Sequence, residues 1–196
     1  MRVQKDRKVY VHNDLSQGAT YFNGLIKGKL AKGSHDGIAF DGMACALMIA
    51  FAFEANLNFM GSRLLKTGKL AEWNEKQSFS KKLNKVFGVL GIPVALEKRP
   101  LSSMQKMKNL RDILAHGKPV ETTEDEEVVG THEELDRGSN LAADWEADVR
   151  PEPVSEALAD LDTLWKLMIE KSGISLFETM TQGEGSITFI EYVAEK

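Results

Sequence analysis

The chain has 196 residues, 42% hydrophobic and 28% charged, an ordinary globular composition with enough length for one domain with a substantial core. Its one cysteine, Cys45, excludes an internal disulfide and fits a reduced, cytoplasmic setting. The formal net charge is −4, and the longest uninterrupted apolar run, Met43 to Phe53, falls short of the ~20 residues that span a bilayer, so a soluble protein is expected.

Residues 1–37 give the weakest pattern. The opening Met1-Arg2-Val3-Gln4-Lys5-Asp6 lacks the apolar core of a signal peptide. Lys8 to His12 alternates as a short strand does. Leu15 to Leu30 carries Gly18, Gly24 and Gly28, with Lys27, Lys29 and Lys32 around its end. This reads as an N-terminal arm lying on the core; a basic, glycine-containing arm that touches RNA is the alternative.

A first core helix is expected from Ser34 or Asp36 to about Gly61. Its middle is apolar nearly all round, which makes it the central helix. Glu54 and Asn58 interrupt it on the side of Leu47 and Phe51, and polar groups there need partners. Arg63 to Lys76 follows as a polar connector or short helix anchored by Trp73. A second helix runs from about Ser78 to Leu90. Phe79, Leu83, Val86, Phe87 and Leu90 form its inner face; Lys81, Lys82 and Lys85 form a face expected to be solvated. Gly91-Ile92-Pro93 ends it.

The third helix begins after Pro100, with Ser102 or Ser103 as N-cap, and ends at His116. Gly117 is the left-handed residue past its end and Pro119 forbids continuation. Met104, Met107, Arg111 and Leu114 form a stripe in which Arg111 is the anomaly, because a buried guanidinium is unfavourable unless paired. Glu54 is its natural partner, and that pairing would explain both anomalies structurally. Asp112 and His116 are four apart and so are neighbours, whereas Arg111 and His116 diverge by roughly 140°. A carboxylate at Asp112 could hold one ring nitrogen of His116.

Residues 121–150 hold 11 acidic residues against two arginines, a net of −9, which leaves the remainder at −4 + 9 = +5. This reads as an exposed insertion on a mildly basic body, with a turn of helix near His132 to Asp136 and Trp145 as its anchor. A basic body is permissive for nucleic acid. A fourth helix runs from about Pro153 to Lys171 with Val154, Leu158, Leu161, Leu164, Trp165 and Met168 inward, closed by Ser172-Gly173. The tail from Gly185 to Val193 has strand chemistry and is expected to pair with Lys8 to His12.

The expected fold is therefore mainly α, an up-and-down bundle of four long helices with short terminal strands. It divides into an arm (1–37), a helical domain (38–172) containing the acidic insertion (121–150), and a C-terminal strand and tail (173–196). No phosphate-binding loop, zinc-spaced Cys or His pair, Gly-x-Ser-x-Gly elbow, calcium loop or helix-turn-helix signature is present in the sequence. No cofactor and no metal is expected.

The run Arg111-Asp112-Ile113-Leu114-Ala115-His116-Gly117 resembles the Arg-(Asn/Asp)-x(3)-His signature of the HEPN superfamily, all-α domains of toxin–antitoxin, phage-defence and RNA-processing proteins. Met43 to Asn58 resembles that family's first core helix, and the resemblance covers roughly residues 38–172. Asp112 stands where many active members carry asparagine. The resemblance implies a metal-independent endoribonuclease of toxin or phage-defence type. His116 would be general acid/base and Arg111 a phosphate clamp, with Asp112, Glu54 and Asn58 supporting. RNA brings its own 2′-hydroxyl nucleophile, so a proton carrier and a cation suffice. Two copies of the chain would assemble the composite site, and the expected partners are RNA, a second copy and an antitoxin protein, with no membrane. The alternative is a non-catalytic HEPN-like module that dimerises or binds a partner, with Arg111 structural. The orientation of Arg111 discriminates: beside His116 in an exposed groove it favours the enzyme; capped by Glu54 within one copy it favours the module.

Overall fold

A computed structural model describes residues 2–117, 119, 121, 129–131 and 143–192. The fold is mainly helical with one small antiparallel sheet of two strands. In chain order the elements are β1 (Arg2–Val9), α1 (His12–Leu30), α2 (Ile38–Lys66), α3 (Phe79–Leu90), α4 (Leu101–His116), a 3-10 turn (Asp144–Val149), α5 (Pro151–Ser172), α6 (Leu176–Thr179) and β2 (Gly183–Glu191).

Helix α2 is the axis of the molecule, packed on by α1, α3, α4 and α5. Cys45, Ala46, Ile49, Phe53, Leu57, Met60 and Leu64 are buried along it, on more than one face. Each large apolar side chain so buried contributes about 1.5–3 kcal/mol. By length and composition alone α2 could cross a membrane; in this fold other helices cover it. It continues past Gly61, where it was expected to end, as far as Lys66. Gly61 is a contact rather than a stop: a Cβ there would lie 2.4 Å from the Trp73 ring, which folds back onto the helix.

The segment read as an arm contains a helix. Residues His12 to Leu30 form α1, laid along α2. Leu15, Ala19, Phe22 and Ile26 face the core at helical spacing. Three glycines depress the intrinsic helix propensity of this stretch, and packing against α2 overrides it. Gly18 contributes to that packing, because a Cβ there would lie 3.2 Å from Met48 Sδ.

The terminal strands pair antiparallel, from Val9 opposite Gly183 to Arg2 opposite Glu191. The first strand lies earlier than expected, since His12 already opens α1. Helix α3 matches its expected span, α5 starts two residues before it, and the left-handed glycines Gly91, Gly117 and Gly173 end α3, α4 and α5. Ser103 does not cap α4: Pro100 precedes the first turn, and the Ser103 hydroxyl instead donates to Asp160, which Arg99 also grips through Nε at 2.8 Å and Nη2 at 3.0 Å. Trp145 packs against the core as the expected anchor. The rest of the acidic insertion, including His132 to Asp136, lies largely outside the described residues.

Candidate functional site

The candidate residues converge on one side of α2, where its middle meets α3 and the second half of α4. Glu54 is the junction. Its Oε2 accepts from Arg111 Nη1 at 3.2 Å, the pairing anticipated from the sequence. Its Oε1 accepts from Lys82 Nζ at 2.7 Å. Arg111 also approaches Asp112, Nε to Oδ1 at 3.0 Å, and its guanidinium lies 5.8 Å from the centre of the Phe51 ring. Asp112 Oδ2 takes Lys108 Nζ at 2.6 Å, one helical turn back. The result is one connected chain of charges, Lys82–Glu54–Arg111–Asp112–Lys108, with three cations and two anions and so a net of +1.

Both carboxylates are held ionised. Burial pushes Glu54 upward, but Lys82 and Arg111 together outweigh it and bring the group below its ordinary range. For Asp112 the Lys108 hydrogen bond dominates and also lowers the pKa.

Lys82 is the member that sequence reading missed. It was assigned to a solvated face, yet it is 2% exposed. The signal was available: positions 79, 82, 83, 86, 87 and 90 form one stripe at spacings of three and four, and Lys82 sits within it. A lysine in such a stripe has to bring a counter-charge with it.

The remaining candidates stand apart. His116 is the last residue of α4 and is exposed. Among the described residues no hydrogen bond joins it to Asp112, whose oxygens are engaged by Lys108 and Arg111. Asn58 shares the face of Glu54 but makes no hydrogen bond among the described residues, and its Oδ1 is buried without a partner. Cys45 is a core residue as expected; its thiol donates to Ala19 O at 3.4 Å, and burial pushes it up to about 11. Chemically, the cluster offers a cation oriented by two carboxylates, with a histidine at the adjacent helix end. No family model, no curated protein and no solved structure matches this chain.

Proposed function

We propose that the chain is a HEPN-like module, an up-and-down bundle of α2, α3, α4 and α5 with α1 laid against it, that works by binding a second copy or a partner protein. The observation that carries this reading is the Arg111–Glu54 ion pair, which answers the arginine's charge inside one copy. Phe51 and Ile113, 40% and 42% exposed, belong to the same region and supply apolar surface for a self-complementary interface. The lone buried Cys45 supports a reduced, cytoplasmic setting.

A second reading, a metal-independent endoribonuclease acting across a dimer, has its own support. Lys82 shares Glu54, so the arginine is oriented without being fully neutralised, and Nη2 of Arg111 bonds nothing among the described residues. The Arg111 side chain is 22% exposed and His116 is open to a substrate. In that reading Arg111 clamps the phosphate and His116 carries protons, and an antitoxin protein becomes the expected partner.

The deciding experiment incubates purified protein with a broad panel of RNAs in chelator and follows Arg111→Ala and His116→Ala. The module reading expects uncut RNA, a dimer or hetero-complex by sedimentation, and a lowered melting temperature for Arg111→Ala alone. Cleavage to 2′,3′-cyclic phosphates, abolished by both substitutions, replaces it with the nuclease reading.

A further inference from the structure

The terminal sheet stands off the helical body. Among the described residues, its side-chain hydrogen bonds and ion pairs to the helices and their connectors lie at its base. Lys8 Nζ donates to Ser62 Oγ at 2.6 Å and meets Glu75 at 3.5 Å, and Glu184 takes Arg63 and Lys66. Beyond that base, Arg2 to Arg7 and Gly185 to Glu191 are exposed, with Val3 alone half-buried. The sheet has two strands, so each outer edge presents backbone donors and acceptors that no third strand takes up. A ribbon of two strands is only marginally stable by itself in water. The two edges differ in charge. Strand β1 carries Arg2, Lys5, Arg7 and Lys8 against Asp6, a net of +3, and basic side chains guard an edge against pairing. In β2, Gly185-Ser186-Ile187-Thr188-Phe189-Ile190 carries no charge and no proline, and its second half consists of strong strand formers. Residues opposite one another share a face, so Val3 beside Phe189 and Lys5 beside Ile187 lie on one face. On it Ile187 is 70% exposed and Phe189 49% exposed.

We propose that the outer edge of β2 pairs antiparallel with the same edge of a second copy, about a two-fold axis at Thr188, to make one four-stranded sheet. Charge selects the edge. Two β1 edges laid together would crowd the cations of both strands beside two carboxylates, whereas the β2 run brings no charge to the seam. Charge and face also select the register. An axis at Thr188 sets Ile187 against Phe189 of the second copy, twice by symmetry, and gathers Val3, Ile187 and Phe189 of both copies on one face. It sets Glu191 opposite Gly185 of the second copy and Glu184 opposite Tyr192, so no carboxylate faces another. An axis midway between Ile187 and Thr188 would set Glu184 against Glu191 and every apolar side chain against the wrong face. An axis at Ile187 would extend the pairing over Glu184, which already meets the body, and match Phe189 with Gly185. The one break in register, where Ile190 is the extra residue opposite Arg2 and Val3, falls near the end of the paired stretch. Because the strands run antiparallel, the two helical bodies lie at opposite ends of the sheet. This contact is separate from the one proposed around Phe51 and Ile113 and does not rest on it.

The test is sedimentation velocity on the full chain, run both unsubstituted and with Ile113→Glu, which removes the helix-face contact and isolates this one. A dimer is expected in the Ile113→Glu background at high micromolar concentration. Thr188→Lys and Thr188→Glu each set like charges face to face on the axis, and each is expected to weaken that dimer about tenfold or more. Mixing the two variants is expected to restore it, because opposite charges then meet. Thr188 is exposed and outside the core, so both variants should keep the helical circular dichroism and melting temperature of their parent. The proposal is overturned if the Ile113→Glu chain is monomeric at high micromolar concentration, if its dimer survives both Thr188 substitutions, or if the mixture of folded variants stays monomeric. A monomer that instead binds an oligouridylate, and loses it with Lys5→Glu and Arg7→Glu, overturns the proposal and gives the exposed face to RNA. A dimer of the unsubstituted chain that Ile113→Glu abolishes and Thr188→Lys leaves intact keeps the helix-face contact and overturns this one.

Discussion

Glu54 and Asn56 stand two positions apart on α2 and face roughly 200° apart around its axis. Glu54 turns to α3 and α4 and is gripped by Lys82 and Arg111. Asn56 lies on the side of α1 and α5, and its amide is sealed from solvent and gripped by nothing among the described residues. The difference follows from charge. An ionised carboxylate without a partner in a buried setting would change its protonation or unfold the helix around it, so the chain supplied two cations. A neutral amide left unpaired is destabilising by only about 1–3 kcal/mol, which a fold of ordinary stability, about 5–15 kcal/mol, survives. In this core the open polar position is therefore the neutral one, and the closed one is the charged one.

The largest expected effect breaks the closed side. Glu54→Leu strands Lys82 without its partner in the interior, and urea denaturation should record a loss of about 3–5 kcal/mol. Adding Lys82→Met should recover most of it; a loss well below 1 kcal/mol for the single variant would mean that Lys82 does not depend on Glu54.

Gly61→Ala is the control on the same helix, because it disturbs packing and neither polar group. The new Cβ meets the Trp73 ring, so the ring must move, and a loss of about 1–3 kcal/mol is expected with a changed Trp73 emission. Arg111→Ala comes next. Lys82 still holds Glu54, so chemical denaturation should show a loss of only about 1–2 kcal/mol. A full unfolding would show that the arginine, not the lysine, keeps the closed side together.

Asn56→Leu should act in the opposite direction, with a gain of up to about 1 kcal/mol. A loss instead would show that the amide is satisfied in solution and that the two sides of α2 do not differ.

Acid sharpens the contrast further, because Asn56 does not titrate. The folded pKa of Glu54 lies below its ordinary 4.5, so its contribution is complete above that value and is lost as pH falls through the lowered one. His12 provides an earlier and smaller change. Its Nε2–H donates to Thr179 O at 3.0 Å, its Nδ1 is buried without a partner among the described residues, and its ring stacks on Phe59. Burial lowers its pKa from 6.5 despite opposing contributions from Thr179 and Asp14. The unfolded chain thus binds the proton more readily, and stability should begin to sag as pH falls below 6.5. Melting curves of His12→Gln should lack the early sag, those of Glu54→Gln the later loss, and the Asn56→Leu gain should be the same at every pH.

Much of this architecture was legible in local chemistry. Gly91, Gly117 and Gly173 end their helices with positive φ because a left-handed residue satisfies the last carbonyls and glycine adopts it without strain. The all-round apolar run in α2 made it central because only the middle of a core can bury every side of a helix. The Arg111–Glu54 pair could be anticipated because each charge, in an apolar stripe, required the other. Tertiary structure alone decided the rest. Helix α1 forms against its glycine content because docking on α2 supplies the stabilisation that its own turns lack. The burial of Lys82 depended on Glu54 arriving from another helix. The lack of partners for Asn56 among the described residues depended on what α1 and α5, far away in sequence, present to it. Helix ends and faces depend on neighbours within a turn or two, whereas a buried polar group's partners depend on side chains brought together only when the helices pack.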